Sequence, residues 1–72
     1  MKSYKLVSHP MVHTPGMLKY CMAGYRTSRG RGRSPFIKIF HEGYGLDRKL
    51  TVGLLSGKIP HRVEGDSVVF EA

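Results

Sequence analysis

The residues of this chain best suited to chemistry are its cations. The stretch SRGRGRS, 28–34, sets Arg29, Arg31 and Arg33 among glycines and serines, with no acid and no apolar side chain. A guanidinium grips phosphate bidentately or stacks on a base, and glycine lets a chain follow an irregular backbone closely. Arg26 precedes the stretch, and Tyr25 and Phe36 flank it with rings of the kind that stack on unpaired bases. Arg26, Arg29, Arg31, Arg33, Tyr25 and Phe36 are therefore the candidate contacts for RNA, DNA or an acidic protein surface. A plain solvated loop is the alternative. Tyr20 and Phe40 are assigned to the core.

Other chemistry has less to build on. His9 and His13 form an H-x3-H pair, but Pro10 and Pro15 disfavour the helix that would align them, and completing a zinc site would require Cys21, His41 or His61 to be brought in by the fold. No metal site is expected. Cys21 is the one cysteine, which rules out an internal disulfide, and it reads as a buried thiol that packs like a small hydrophobe. The five acids all lie at or after Glu42. No serine or cysteine sits in a nucleophile motif, and no glycine-rich phosphate loop follows a strand and opens a helix. The residues describe a binding module, not an enzyme, with no cofactor and no small-molecule substrate.

The elements that must hold these residues belong to one domain spanning 1–72, since so short a chain buries only a thin core. Apolar residues make up 40% of it, enough to fold. No apolar run approaches the roughly 18 residues of a membrane span, and the N-terminus lacks a signal peptide's apolar region, so a cytoplasmic protein is expected. The net charge of +7 is unevenly spread: residues 1–41 hold eight Lys or Arg and no acid, residues 42–72 four basic and five acidic residues. Such polarity gives a positive face contributed by the N-terminal segments.

Residues 4–7 read as a short strand and HPMVHTPG, 9–16, as a loop broken by prolines and glycine. Residues 17–26 alternate imperfectly, which predicts a strand with Gly24 as a bulge. PFIKIF, 35–40, is dense in aromatic and β-branched residues and reads as a second strand, joined to the first by a mobile basic loop at 27–34. Residues 47–56 predict one short helix, with Asp47 as N-cap, Leu50 and Leu54 on one face and Gly57 beyond the end; Gly53, Thr51 and Val52 keep a strand there in play. The remaining residues form a hairpin whose connection is EGD, three residues with a central glycine. The expectation is an α+β fold, mainly β: a small antiparallel sheet with one short helix.

Two resemblances add to this. LTVGLLSGKIPHRVEGDSVVFEA, 50–72, is similar to the end of the excisionase and MerR-type winged-helix pattern, in which a helix runs into Gly-x-Ile-Pro and a wing hairpin turns at Gly; Gly57, Ile59, Pro60 and Gly65 hold that spacing. It implies a free-standing nucleic-acid-binding module with Lys58, His61 and Arg62 on the wing, although PFIKIFHEGYG reads as strand and turn where that family has two helices. The whole chain, in size, charge and lack of catalytic motifs, resembles the small bacteriophage proteins that bind the host RNA polymerase, in particular the inhibitor and antiterminator type of a lytic phage infecting Xanthomonas. MKSYKLVSHP, RTSRGRGRS and GDSVVFEA carry that resemblance. It implies a transcription regulator that docks on bacterial RNA polymerase, impedes promoter opening by the host enzyme and suppresses termination near the emerging RNA. Tyr4, Lys5 and Val7 are assigned to docking, because the unpaired N–H and C=O groups of an edge strand are a template for a partner's strand.

Overall fold

The computed structural model describes residues 1–27 and 35–72; Arg29, Arg31 and Arg33, and with them the expected basic loop apart from Thr27, lie outside the described residues. The elements run β1 (Ser3–Val7), α1 (Thr14–Thr27), α2 (Pro35–Gly43), α3 (Arg48–Leu55), β2 (His61–Glu64) and β3 (Ser67–Glu71). The strands form an antiparallel sheet of order β1-β3-β2. The fold is therefore α+β with three helices among the described residues. The expectation of a mainly β fold with one helix is overturned at two segments.

The first is α1. Its buried residues are Thr14, Leu18, Cys21 and Tyr25, a stripe at steps of three and four that only a helix presents on one side. The alternation over 17–26 mixed these residues with exposed Lys19 and Ala23. The helix also starts earlier than the proline-broken loop suggested. His13 stands at its N-cap, where its Nδ1 accepts the Gly16 N–H (3.2 Å) and its carbonyl accepts the Met17 N–H (2.9 Å). Pro15 falls in the first turn, where a missing N–H costs nothing.

The second is α2. Pro35 opens it, the position at which proline's fixed φ suits a helix. Ile37 and Phe40 are buried, three residues apart, with Phe36 and Ile39 half-buried beside them. The β-branched and aromatic content of PFIKIF reports burial here and not strand geometry, because strand propensity depends on what surface a segment meets. Gly24 is no bulge: it lies in α1 under the Phe36 ring, and a Cβ there would stand 2.3 Å from Phe36 Cζ. That close approach seats α2 against α1.

α3 follows the expectation closely. Asp47 Oδ1 accepts the Leu50 N–H (2.8 Å), and the buried Thr51 hydroxyl donates to the Asp47 carbonyl (2.9 Å). Gly57 takes φ +84 just past the helix, and the Lys58 and Ile59 N–H groups return to the Gly53 carbonyl (3.0 and 3.1 Å). Gly53 is small because Ile59 folds back over it; a Cβ there would approach Ile59 Cδ1 to 2.8 Å. The hairpin's connection is two residues, Gly65 and Asp66, and not the three of EGD, because Glu64 pairs with Ser67 in the sheet; Gly65 takes φ +62 at the turn.

One face of the sheet, through Leu6, Val68 and Phe70, meets Leu18, Cys21 and Tyr25 of α1, Ile37 and Phe40 of α2, Leu46, and Leu54 and Leu55 of α3 in a single core. Tyr4 stacks on Phe70 (5.0 Å) and Tyr44 on Phe40 (4.8 Å) at its margins. Gly24→Ala should destabilise the fold by about 1–2 kcal/mol, since Phe36 must leave its seat, even though alanine suits a helix better. Gly43→Ala, where nothing lies within 4 Å of the added Cβ, should be neutral or better; equal urea midpoints for the two variants would contradict the close approach.

Candidate functional site

The two helices on either side of 28–34 present an exposed strip. Lys19, Tyr20, Ala23, Arg26 and Thr27 all lie on the outer side of α1. Tyr20, expected in the core, is 62% exposed and meets the Phe36 ring edge-on at 5.5 Å, while Tyr25, expected to meet ligand, is 7% exposed and belongs to the core. The exchange follows from the helix: residues 18, 21 and 25 share the inner side, which turns residue 20 outward. Phe36 is half-buried between Gly24 and Tyr20 and keeps a partial surface. Phe40 is buried, as expected. Arg26 is exposed in the last turn of α1.

The docking triplet divides. Tyr4 turns to the core side of β1 against Phe70, with Lys2 Nζ 5.6 Å over its ring. Lys5 and Val7 point to the opposite, open face of the sheet, and Val7 is 60% exposed. Only Lys5 and Val7 can therefore share a surface with the outer residues of β2 and β3.

A third arrangement was legible only in part. α2 and α3 are joined by residues 44–47, in which Gly45 takes φ +70 and Leu46 is buried. His41 Nδ1 donates to the Leu46 carbonyl (2.7 Å) and the Leu46 N–H reaches the Phe40 carbonyl (3.4 Å), so the turn is held from α2. Helix, glycine-bearing turn, capped helix and β-hairpin therefore follow one another. The helical pair that reading PFIKIFHEGYG as strand and turn left out is present. Arg48 and Lys49 are exposed at the start of α3, Lys58 beyond its end, and His61 and Arg62 on the hairpin. Gly45-Leu46-Asp47, a turn glycine, an apolar anchor and an N-cap, was the signal in the sequence.

The carboxylates are mostly engaged inside the chain. Glu42 lies 4.0 Å from Lys38, Glu64 Oε2 2.6 Å from Arg62 Nε, Asp66 3.6 Å from His13, and Asp47 caps α3. The hydrogen bond and charge of Arg62 hold the Glu64 carboxyl below its ordinary range, and Glu64 in turn raises the guanidinium. Among the described residues, no carboxylate lies within ion-pair distance of Lys2, Lys5, Lys19, Arg26, Lys49 or Lys58. All six are exposed.

Ser8, His13 and Asp66 come together, but not as a relay. The Ser8 hydroxyl donates to the Asp66 carbonyl and accepts the Thr14 N–H (2.8 Å), while His13 Nδ1 is taken by Gly16. The cluster ties the hairpin turn to the start of α1. His9 Nδ1 likewise accepts the Met11 N–H (3.4 Å), and the described residues contain no group of three potential metal ligands. No helix among them is long and apolar enough to cross a membrane. Searches against protein-family models, curated proteins and solved structures find no match to this chain.

Cys21 has no solvent-accessible surface, and burial pushes its thiol up to about 11 from 9.0. A raised thiol stabilises the fold fully below pH 9 and loses that contribution as pH climbs through about 11. The loss should reach roughly 2 kcal/mol. Urea titrations from pH 8 to 11 should show this decline in the native chain and a shallower one in Cys21→Ala; parallel declines would sink the assignment.

Proposed function

We propose that this chain is a small transcription regulator that docks on bacterial RNA polymerase, impedes initiation by the host enzyme and suppresses termination beside the emerging RNA. The observation that carries the reading is the imbalance of exposed charge. Six described lysines and arginines stand without a carboxylate, while four of the five acids are held within the chain. A surface of that kind draws RNA and acidic protein alike, and a regulator seated beside emerging RNA meets both. The resemblance of the whole chain to small phage polymerase-binding proteins supplies the partner.

In this reading the nucleic-acid side is the strip of Lys19, Tyr20, Arg26 and Phe36, continued in sequence by Arg29, Arg31 and Arg33. Lys5 and Val7 contribute to docking. They lie on β1, an edge of the sheet whose outer backbone groups can pair with a strand of the partner.

A second reading, a free-standing nucleic-acid-binding module, is favoured by one observation: the helix-turn-helix of α2 and α3 followed by the hairpin. Arg48 and Lys49 would then stand at the start of the recognition helix, with Lys58, His61 and Arg62 along the wing. Such a binder loses affinity steeply with salt, by a log–log slope of about −0.7 to −0.9 per phosphate contacted.

The tagged full chain, used to capture partners from bacterial lysate, should retain polymerase subunits after nuclease treatment. Loss of every partner on nuclease treatment would transfer the function to the second reading. The triple variant Arg29→Ala, Arg31→Ala, Arg33→Ala should keep its melting temperature and its hold on polymerase, yet reduce read-through at a terminator severalfold in purified transcription. Unchanged read-through would remove the arginines from the mechanism.

A further inference from the structure

The outer side of α3 carries a feature that neither phosphate binding nor strand pairing uses. An open groove of about 860 Å³ runs between α3 and the segment that follows it. Its floor is Leu50, Val52, Gly53 and Ile59, the three side chains half-buried and the glycine adding no Cβ. The groove exists because Gly57 reverses the chain and sets Ile59 back over Gly53. Arg48, Lys49 and Lys58 line it as well, with Ala72 beside them; Lys49 and Lys58 are exposed and have no carboxylate within ion-pair distance among the described residues, and no Asp or Glu side chain contributes to the lining.

We propose that this groove docks an acidic amphipathic segment of a partner protein, with an aliphatic or aromatic side chain seated on Val52 and Ile59 and flanking carboxylates meeting Lys49 and Lys58. The inference rests on the polymerase reading for the protein that carries the segment, not for the segment's chemistry. Charge complementarity selects the occupant: a cationic rim around an apolar floor fits a peptide that alternates acids with large apolar residues. The groove does not suit a small polar ligand, for the only charged groups around it ride on flexible exposed stems and none is buried to fix an orientation. Nor does the floor suit base reading, which needs donors and acceptors aimed at base edges; Leu50, Val52 and Ile59 offer none. Phosphates would meet the same lysines but leave the apolar residues as exposed as before, whereas a peptide covers them.

The test uses the full chain, isotopically labelled, titrated with an acetylated peptide that alternates Asp and Glu with Leu, and with a counterpart in which Lys replaces every acid. The acidic peptide should move the backbone resonances of Leu50, Val52, Gly53 and Ile59 saturably, and the basic one should not. The variant Lys49→Glu, Lys58→Glu should weaken the acidic peptide at least about tenfold, as loss and reversal of two rim charges implies. Glutamate at 49, in the first turn of α3, suits the helix dipole, glutamate at 58 stands exposed beyond its end, and a matching melting temperature verifies that the double variant keeps the fold. Lys38→Ala, exposed on α2 and outside the groove, should leave the affinity unchanged. Shifts confined to α1, equal binding of both peptides, or the same four residues responding to duplex DNA at lower concentration than to peptide would each overturn the proposal. The same variants in the nuclease-treated capture separate the two claims. Peptide binding without polymerase removes the polymerase reading and leaves the groove; polymerase held undiminished by Lys49→Glu, Lys58→Glu, with no peptide binding, removes the groove and leaves the polymerase reading.

Discussion

Leu46 sits between α2 and α3 with its side chain in the core and both backbone polar groups tied back to α2, the carbonyl by His41 Nδ1 and the N–H by Phe40. Its neighbours complete the corner. Gly45 supplies the positive φ that reverses the chain, and Asp47 supplies the carboxylate that begins the next helix. With the corner fixed, Phe40 and Leu54 are set into one core, and the hairpin leaves α3 in a defined direction through Gly57. A chain this short has few buried side chains to direct its helices, so an anchor inside a turn, satisfied in every backbone group, constrains more than an equal apolar residue within a helix.

The same economy shapes the surface. Asp47 begins a helix, Asp66 joins the hairpin to α1 through His13, and Glu42 and Glu64 neutralise Lys38 and Arg62 on their own elements. Acids placed this way serve the fold locally, and among the described residues none lies within ion-pair distance of Lys2, Lys5, Lys19 or Arg26. Exposed ion pairs contribute little stability, so their consequence is electrostatic: they set which cations remain for a partner. The polarity between residues 1–41 and 42–72 thus survives folding as a set of unpaired cations on α1 and β1, with Lys49 and Lys58 forming a separate group around α3.

What the sequence made legible is what local chemistry decides. β1, the capped and glycine-terminated α3, the glycine hairpin and the buried Cys21 each rest on signals within a few residues, and each is found. α1 and α2 were not legible because their identity is set by a distant surface. Leu18, Cys21 and Tyr25 make a helical stripe that Thr14 extends, but the alternation through Met17, Lys19 and Ala23 overlaid it, and His13 as N-cap is an unusual acceptor beside two prolines. Phe36, Ile37, Ile39 and Phe40 would suit a strand against a flat sheet, but α1 offers them a helix with a glycine gap at Gly24. From that one error the site followed: in a strand Tyr25 could face outward, and in the helix Tyr20 does while Tyr25 is buried. The succession of α2, turn, capped α3 and hairpin was hidden for the same reason, since its first helix is α2.

The helix-turn-helix order and the surface of α3 point in different directions. A recognition helix earns its place in the major groove by polar side chains along its outer face, and in this chain that face changes character within one turn. Arg48 and Lys49 begin it, but Val52 and Gly53 continue it and Ile59 closes over it. Gly53 is unfavourable in a helix interior by about 1 kcal/mol relative to alanine, and alanine would collide with Ile59. The arrangement therefore keeps a weak helix former so that an apolar side chain can lie along α3. That choice builds a hydrophobic concavity where base reading would need hydrogen-bonding groups. It separates the scaffold, which a nucleic-acid binder and a protein binder can share, from the surface, on which the proposed acidic segment would rest.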